Sequence, residues 1–166
     1  MVQLAADRGD TVEAVTQLNE IAARARTLAH DLHPPALQHL SLGDALLDLV
    51  TRHRASDGPD IELDAAAGIT LPNESAVALY RVAQEALTNA LKHASARVIR
   101  LTLRGDGHAV TLTIEDDGRG MPPATAKRAS FGLRSIRERL GAVGGSMTIE
   151  QAVPTGTRLV ATVPRG

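Results

Sequence analysis

Apolar residues recur at Val12, Val15, Leu18, Ala22, Ala25, Ala29 and Leu32 in steps of three and four, which predicts a helix from Thr11 to Leu32 with a bundle or coiled-coil seam. Pro34-Pro35 ends it, because the second proline lacks an N–H and each ring disfavours helix at the residue before it. A helix with one such seam needs a partner surface, either its own domain or a second copy. Ser41 stands where an N-cap belongs, ahead of a helix from about Leu42 to Arg54 that carries Leu46, Leu47, Leu49 and Val50. SDGPD at 56–60 breaks that helix, and IELDA at 61–65 alternates as a short strand. Gly68 to Pro72 then leads into a central helix, YRVAQEALTNALKHA over Tyr80–Ala94, with Pro72 near its first turn.

At about 100° per residue, Arg81, Glu85, Asn89 and Lys92 of this helix share an arc of roughly 80°. Leu79, Tyr80, Ala83, Leu87, Ala90, Leu91 and Ala94 take the other side. Downstream, VIRLTLR at 98–104 and AVTLTIED at 109–116 alternate with period two around Gly105-Asp106-Gly107, an antiparallel hairpin whose second strand ends on Asp116-Asp117-Gly118-Arg119-Gly120. Met121 to Ser130, with two prolines and small residues, reads as a mobile segment. FGLRSIRERLGAVGG is a helix entered through Phe131-Gly132 and closed at Gly144-Gly145. Ser146–Glu150 and Thr157–Val163 form a last hairpin around Pro154 and Gly156. This order predicts a two-layer α/β sandwich, a mixed sheet under helices, and not a repeated βαβ fold.

The 166 residues suit one domain with a helical extension. A net charge of −1 argues against a nucleic-acid or membrane-surface binder working by bulk charge, and two aromatic residues, Tyr80 and Phe131, supply no base-stacking platform. With no cysteine, any metal must take His, carboxylate or amide ligands, which favours a hard cation. No apolar run approaches the ~18 residues of a membrane span. These features fit a cytoplasmic piece, and a fragment of a membrane protein would look the same.

A nucleoside triphosphate site needs an acceptor for the purine edge, backbone donors for phosphates, oxygen ligands for a hard cation and a base for the nucleophile. Asp116 suits the first task, and Gly118 and Gly120 let backbone approach the base. Alone, the DDGRG stretch is a strand-ending turn, Gly132-Leu133 is an ordinary helix start and Gly156-Thr157 an ordinary hairpin turn. The ordered set is what points to a site: E-x-x-x-N-x-x-K on a helix, D-x-G-x-G after a strand, F-G-L at a helix start, then G-T before the final strand.

That set resembles the ATP-binding catalytic domain of sensor histidine kinases, within the superfamily that also holds DNA gyrase B, Hsp90 and MutL. The DLHPPAL segment and the YRVAQEALTNALKHA helix resemble the nitrate-sensor type most closely, and the likeness runs from about Leu28 to Pro164. It implies the Bergerat ATP-binding fold, with ATP and Mg2+ as ligands. By that resemblance Glu85 is the general base or water-orienting acid, Asn89 holds Mg2+ with Glu85 acting on it through water, and Lys92 meets phosphates with His93 and Arg81 nearby. Asp116 bonds the adenine amino group, Gly118 and Gly120 shape the purine pocket, Met121–Ser130 is the lid, Gly132 and Leu133 close over the phosphates, and Thr157 supports the adenine end. Residues 1–40 are expected to be the end of a dimerisation region with a proline-containing linker, and 41–166 the catalytic domain.

The family's phosphate-accepting histidine lies on the first of two long helices ahead of this domain. His30-Asp31 imitates its context, but His30 sits four residues before the proline pair and no second long helix follows it. His30 is therefore read as a surface or interface histidine, and the acceptor is expected on a dimerisation domain of the same full-length protein. The expected partners are that domain and a response regulator. The resemblance allows a homodimeric, membrane-anchored parent, with no nucleic acid or membrane contact by this chain. Two other classes fit parts of the pattern: an anti-sigma-factor serine kinase, against which residues 12–40 speak, and a non-catalytic nucleotide-binding module, which the intact motifs do not favour.

Overall fold

The computed structural model describes residues 37, 40–120 and 131–166. The seam over Thr11–Leu32, His30 with its proline pair, and the lid Met121–Ser130 lie outside the described residues.

Helix α1, Leu42–His53, begins where Ser41 caps it: the Ser41 hydroxyl accepts from the Asp44 N–H at 3.2 Å and donates to the Asp44 carboxylate at 2.7 Å. Its buried stripe is Leu42, Ala45, Leu46, Leu49 and Val50, while Leu47 faces solvent. Strand β1, Asp60–Ala65, leads to helix α2, Asn73–Asn89, which starts directly after Pro72 and is seven residues longer at its N-terminal end than the motif Tyr80–Ala94. A π-helical turn, Ala90–Ala94, continues α2 and ends at Ser95, which is left-handed at φ 53°. Strands β2, Val98–Gly105, and β3, Ala109–Asp116, form the expected hairpin, closed by Asp106, whose Oδ1 accepts from the His108 and Ala109 N–H groups at 2.7 Å each. Helix α3, Phe131–Ala142, precedes the hairpin of β4, Ser146–Gln151, and β5, Thr157–Pro164.

The five strands lie in the order β1-β2-β3-β5-β4. β1 and β2 are parallel and all other neighbours antiparallel, so the sheet is mixed. A parallel pair cannot be joined by a tight turn, and α2 supplies the crossover. Alternation along the strands separates the faces: Ile61, Ile99, Leu101, Leu103, Leu112, Ile114, Leu159, Ala161 and Val163 are buried against the helices. The opposite face is polar. Glu62, Arg100, Glu115, Arg158 and Glu150 are aligned strand to strand, a row of alternating charge across the whole sheet, with Arg100 Nε 2.8 Å from Glu62 Oε2. A face of that character needs no second helix layer, and the described residues form two layers.

Candidate functional site

A cavity of about 560 Å³ opens between α2 with its π turn, the helix-covered face of the sheet, and the start of α3. Its floor is one row across three strands, Ile114 of β3 beside Leu159 of β5 beside Ile149 of β4. Ala86, Asn89, Ala90, His93 and Ala94 form the helical wall. Asp116, Arg119, Gly120, Leu133 and Thr157 complete the lining.

Asp116 follows Ile114 on the inward face of β3 and is 7% exposed. Buried carboxylates need partners, and here Oδ1 accepts from the Gly118 N–H at 3.0 Å. Oδ2 has no partner among the described residues and remains available to a ligand donor. Gly118 is required by packing. A β-carbon on it would run into the Ala94 carbonyl, 2.8 Å from the carbonyl carbon, where the loop crosses the end of the π turn. Gly156 abuts the Asp116 carbonyl from the β4–β5 turn, so the segment expected to be a plain hairpin turn also backs the Asp116 wall.

Glu85 and Asn89, one helical turn apart, are joined by a hydrogen bond in which Asn89 Nδ2 donates to Glu85 Oε1 at 3.2 Å. That bond turns the amide so that Asn89 Oδ1 is the atom left for a cation. Gly132, in the first turn of α3, packs on the Glu85 carboxylate. The N–H groups of a first helical turn have no intrahelical partners and favour negative charge. Among the described residues no group of three or more His, Cys, Asp or Glu is placed to hold a metal. The side-chain oxygens of Asn89 and Glu85 suit a hard cation that takes its other ligands from phosphates and water.

Of the residues predicted from sequence, Asn89, His93, Asp116, Gly120, Leu133 and Thr157 line the cavity, with Glu85, Gly118 and Gly132 packed directly behind its walls. Lys92 does not line it. It is exposed and lies beyond Asn89 on the helix: at 100° per residue Ala86, Asn89, Ala90, His93 and Ala94 share an arc of about 140° that leaves Lys92 out. The same arc takes in Ala90 and Ala94, expected on the opposite side. Arg81 is also outside the lining, with Nη1 donating to Gln84 Oε1 at 2.6 Å and burial lowering its pKa. Sequence reasoning missed Arg119 and the apolar floor. Period two puts Ile114, Leu159 and Ile149 inside, but only strand order reveals that they are adjacent.

A mixed sheet under one helical layer, with an acid-amide helix and a buried strand-end aspartate around one cavity, defines a class of nucleotide-binding ATPases. Residues 74–166 match the model of the histidine kinase-, DNA gyrase B-, and HSP90-like ATPase family. The chain belongs to that family, which implies an ATP-binding domain. It is similar to the sensor histidine kinase MctS of Rhizobium johnstonii, 36% identical over 98% of this chain and 35% of that protein. It is also similar to the nitrate/nitrite sensor protein NarX of Escherichia coli, 32% identical over 55% of this chain and 15% of that protein. Among solved structures, the histidine kinase domain of a blue-light activated histidine kinase from Erythrobacter litoralis superposes with a TM-score of 0.65 at 27% identity, covering 76% of this chain and 62% of that one. The chain spans about a third of the length of MctS and a smaller part of NarX.

Proposed function

We propose that this chain is the ATP-binding catalytic domain of a sensor histidine kinase, an ATP-dependent protein-histidine kinase. It would transfer the γ-phosphoryl group to a histidine on a dimerisation domain of the same full-length protein, for relay to a response-regulator aspartate. The observation that carries this reading is one cavity bordered both by the buried Asp116, with a free carboxylate oxygen, and by the hydrogen-bonded Glu85–Asn89 pair. Similarity to named sensor histidine kinases supports it.

In this reading Asp116 Oδ2 accepts from the adenine amino group while Gly118 and Gly120 leave room for the base and Thr157 borders it. Asn89 Oδ1 would hold Mg2+, and Glu85 would act on it through water. His93 faces the phosphates from the π turn, and the amides at Gly132 and Leu133 face them from α3. Bound Mg-ATP supplies the phosphoryl group and the cation that offsets its charge. Glu85 takes the proton from the acceptor imidazole as nitrogen bonds to phosphorus and the bond to ADP breaks. The parent would act as a cytoplasmic-facing homodimer of the nitrate-sensor type, with residues 1–40 leading from its dimerisation region and 41–166 forming the catalytic domain. No observation favours the anti-sigma serine kinase.

Calorimetric titration of the chain with a non-hydrolysable ATP analogue, with and without Mg2+, tests the proposal. Mg2+-dependent binding is expected. Absence of binding in both conditions would overturn it.

A further inference from the structure

Asp117 stands next to Asp116 but is exposed and points away from the cavity lining. Its Oδ1 accepts from the N–H groups of Arg97 at 2.8 Å and Val98 at 2.9 Å, where the chain enters β2. Its own N–H donates to the Val98 carbonyl at 3.3 Å, and two residues on, the Arg119 N–H donates to the Ala94 carbonyl at 2.9 Å. Between these ties Gly118 lies directly on the Ala94 carbonyl.

The loop at 116–120 is thus fastened to the segment at 94–98 by which the chain leaves the π turn. The π turn and the loop each carry a wall of the cavity: Ala90, His93 and Ala94 on one side, Asp116, Arg119 and Gly120 on the other. With glycine at 118 no side chain props the walls apart, so hydrogen bonds set their separation. The Asp117 carboxylate makes two of them with a single oxygen.

We propose that Asp117 is a positioning residue for the nucleotide, a carboxylate latch that holds the Asp116 wall at a fixed distance from the π-turn wall and so sets base discrimination. It acts through Asp116 and touches no ligand itself. The N–H groups of Val98 and Arg97 hold its carboxyl below the usual carboxylate range, so the latch carries its full charge at neutral pH. This inference rests on the ATP-binding reading of the cavity.

The experiment compares the full chain with Asp117→Ala and Asp117→Asn, titrating each with non-hydrolysable ATP and GTP analogues in Mg2+. Losing two charge-assisted bonds should weaken ATP binding about tenfold in Asp117→Ala and lower the ATP-to-GTP preference with it. Asp117→Asn keeps an acceptor oxygen and should stay within about threefold of the parent on both counts. A variant that is merely less stable loses affinity for both nucleotides in equal proportion, since the folded fraction scales both. Equal losses, an unchanged Asp117→Ala, or an Asp117→Asn as impaired as the alanine would each overturn the inference. Should the alanine not fold, Asp117→Ser, with one accepting hydroxyl, is expected to give an intermediate preference, and a preference equal to the parent's would overturn the latch. A parent chain that binds no ATP would overturn the proposed function itself, whereas normal parental binding with an unaltered Asp117→Ala removes the latch alone.

Discussion

Gly132 lies so close to Glu85 that a β-carbon on it would sit 2.6 Å from the Glu85 carboxylate carbon. The start of α3 is thereby seated on the acid side chain that the proposed chemistry uses, and only glycine permits that contact. Gly132→Ala would ordinarily favour a helix by about 0.5–1 kcal/mol. Here it must displace Glu85 or α3. The expected result is unchanged helicity by circular dichroism with Mg2+-dependent nucleotide affinity reduced about tenfold or more. Undiminished affinity would show that the Glu85–Gly132 contact is incidental.

The Asn89 amide is held by its bond to Glu85, so its oxygen is the directed one. Asn89→Ala should remove Mg2+-dependent binding while leaving the fold intact, because the side chain is half-buried and contributes no apolar packing. Titration with and without Mg2+ checks this. Retained Mg2+-dependent binding would end the assigned role. Asn89→Asp keeps an oxygen ligand and should retain the Mg2+ requirement.

Much of this arrangement was legible in the residues, and the exceptions have physical causes. All five strands were located within a residue at each end, three by period-two alternation and two by the turn between them, and the N-cap at Ser41 and the glycines at 144 and 145 marked helix limits. Glu85 and Asn89 were legible because four residues bring side chains together on any α-helix. Lys92 falls outside the lining because the cavity is centred on Ala86, Ala90 and His93, to one side of the polar arc that passes through Asn89, and the sequence does not show which side the sheet leaves open. The second aspartate of the strand-end motif carried no signal, since its partners, Arg97 and Val98, are backbone groups about twenty residues away.

His93 and Lys92 therefore separate two assignments of the side chain that faces the phosphates. His93 lines the cavity four residues after Asn89, whereas Lys92 lies outside the lining. His93→Ala should reduce affinity for the ATP analogue severalfold, on the order of 1 kcal/mol for one lost polar contact. Lys92→Ala should change it by less than about twofold, as expected for a charge outside the lining and screened by solvent. The reverse ranking in the same titration would show that Lys92, as the family resemblance implies, is the residue that meets the phosphates.

Asp106 gives the hairpin between β2 and β3 a pH-dependent element far from the cavity lining. The His108 and Ala109 N–H groups that it accepts, helped by the nearby His108 and Arg165 charges, hold its carboxyl below the ordinary carboxylate range. A carboxyl whose folded pKa is depressed stabilises the fold fully above its unfolded value and loses that contribution as pH falls through the folded value. Asp106→Ala should accordingly melt below the parent at pH 7. Because the carboxylate is exposed, the difference should be small, a few degrees at most. It should shrink as pH is lowered through and below the ordinary carboxylate range, where the parent too becomes neutral at this position. Melting curves of both proteins across that range check the sign: a difference that persists or grows in acid would show that the turn is held by something other than the Asp106 charge.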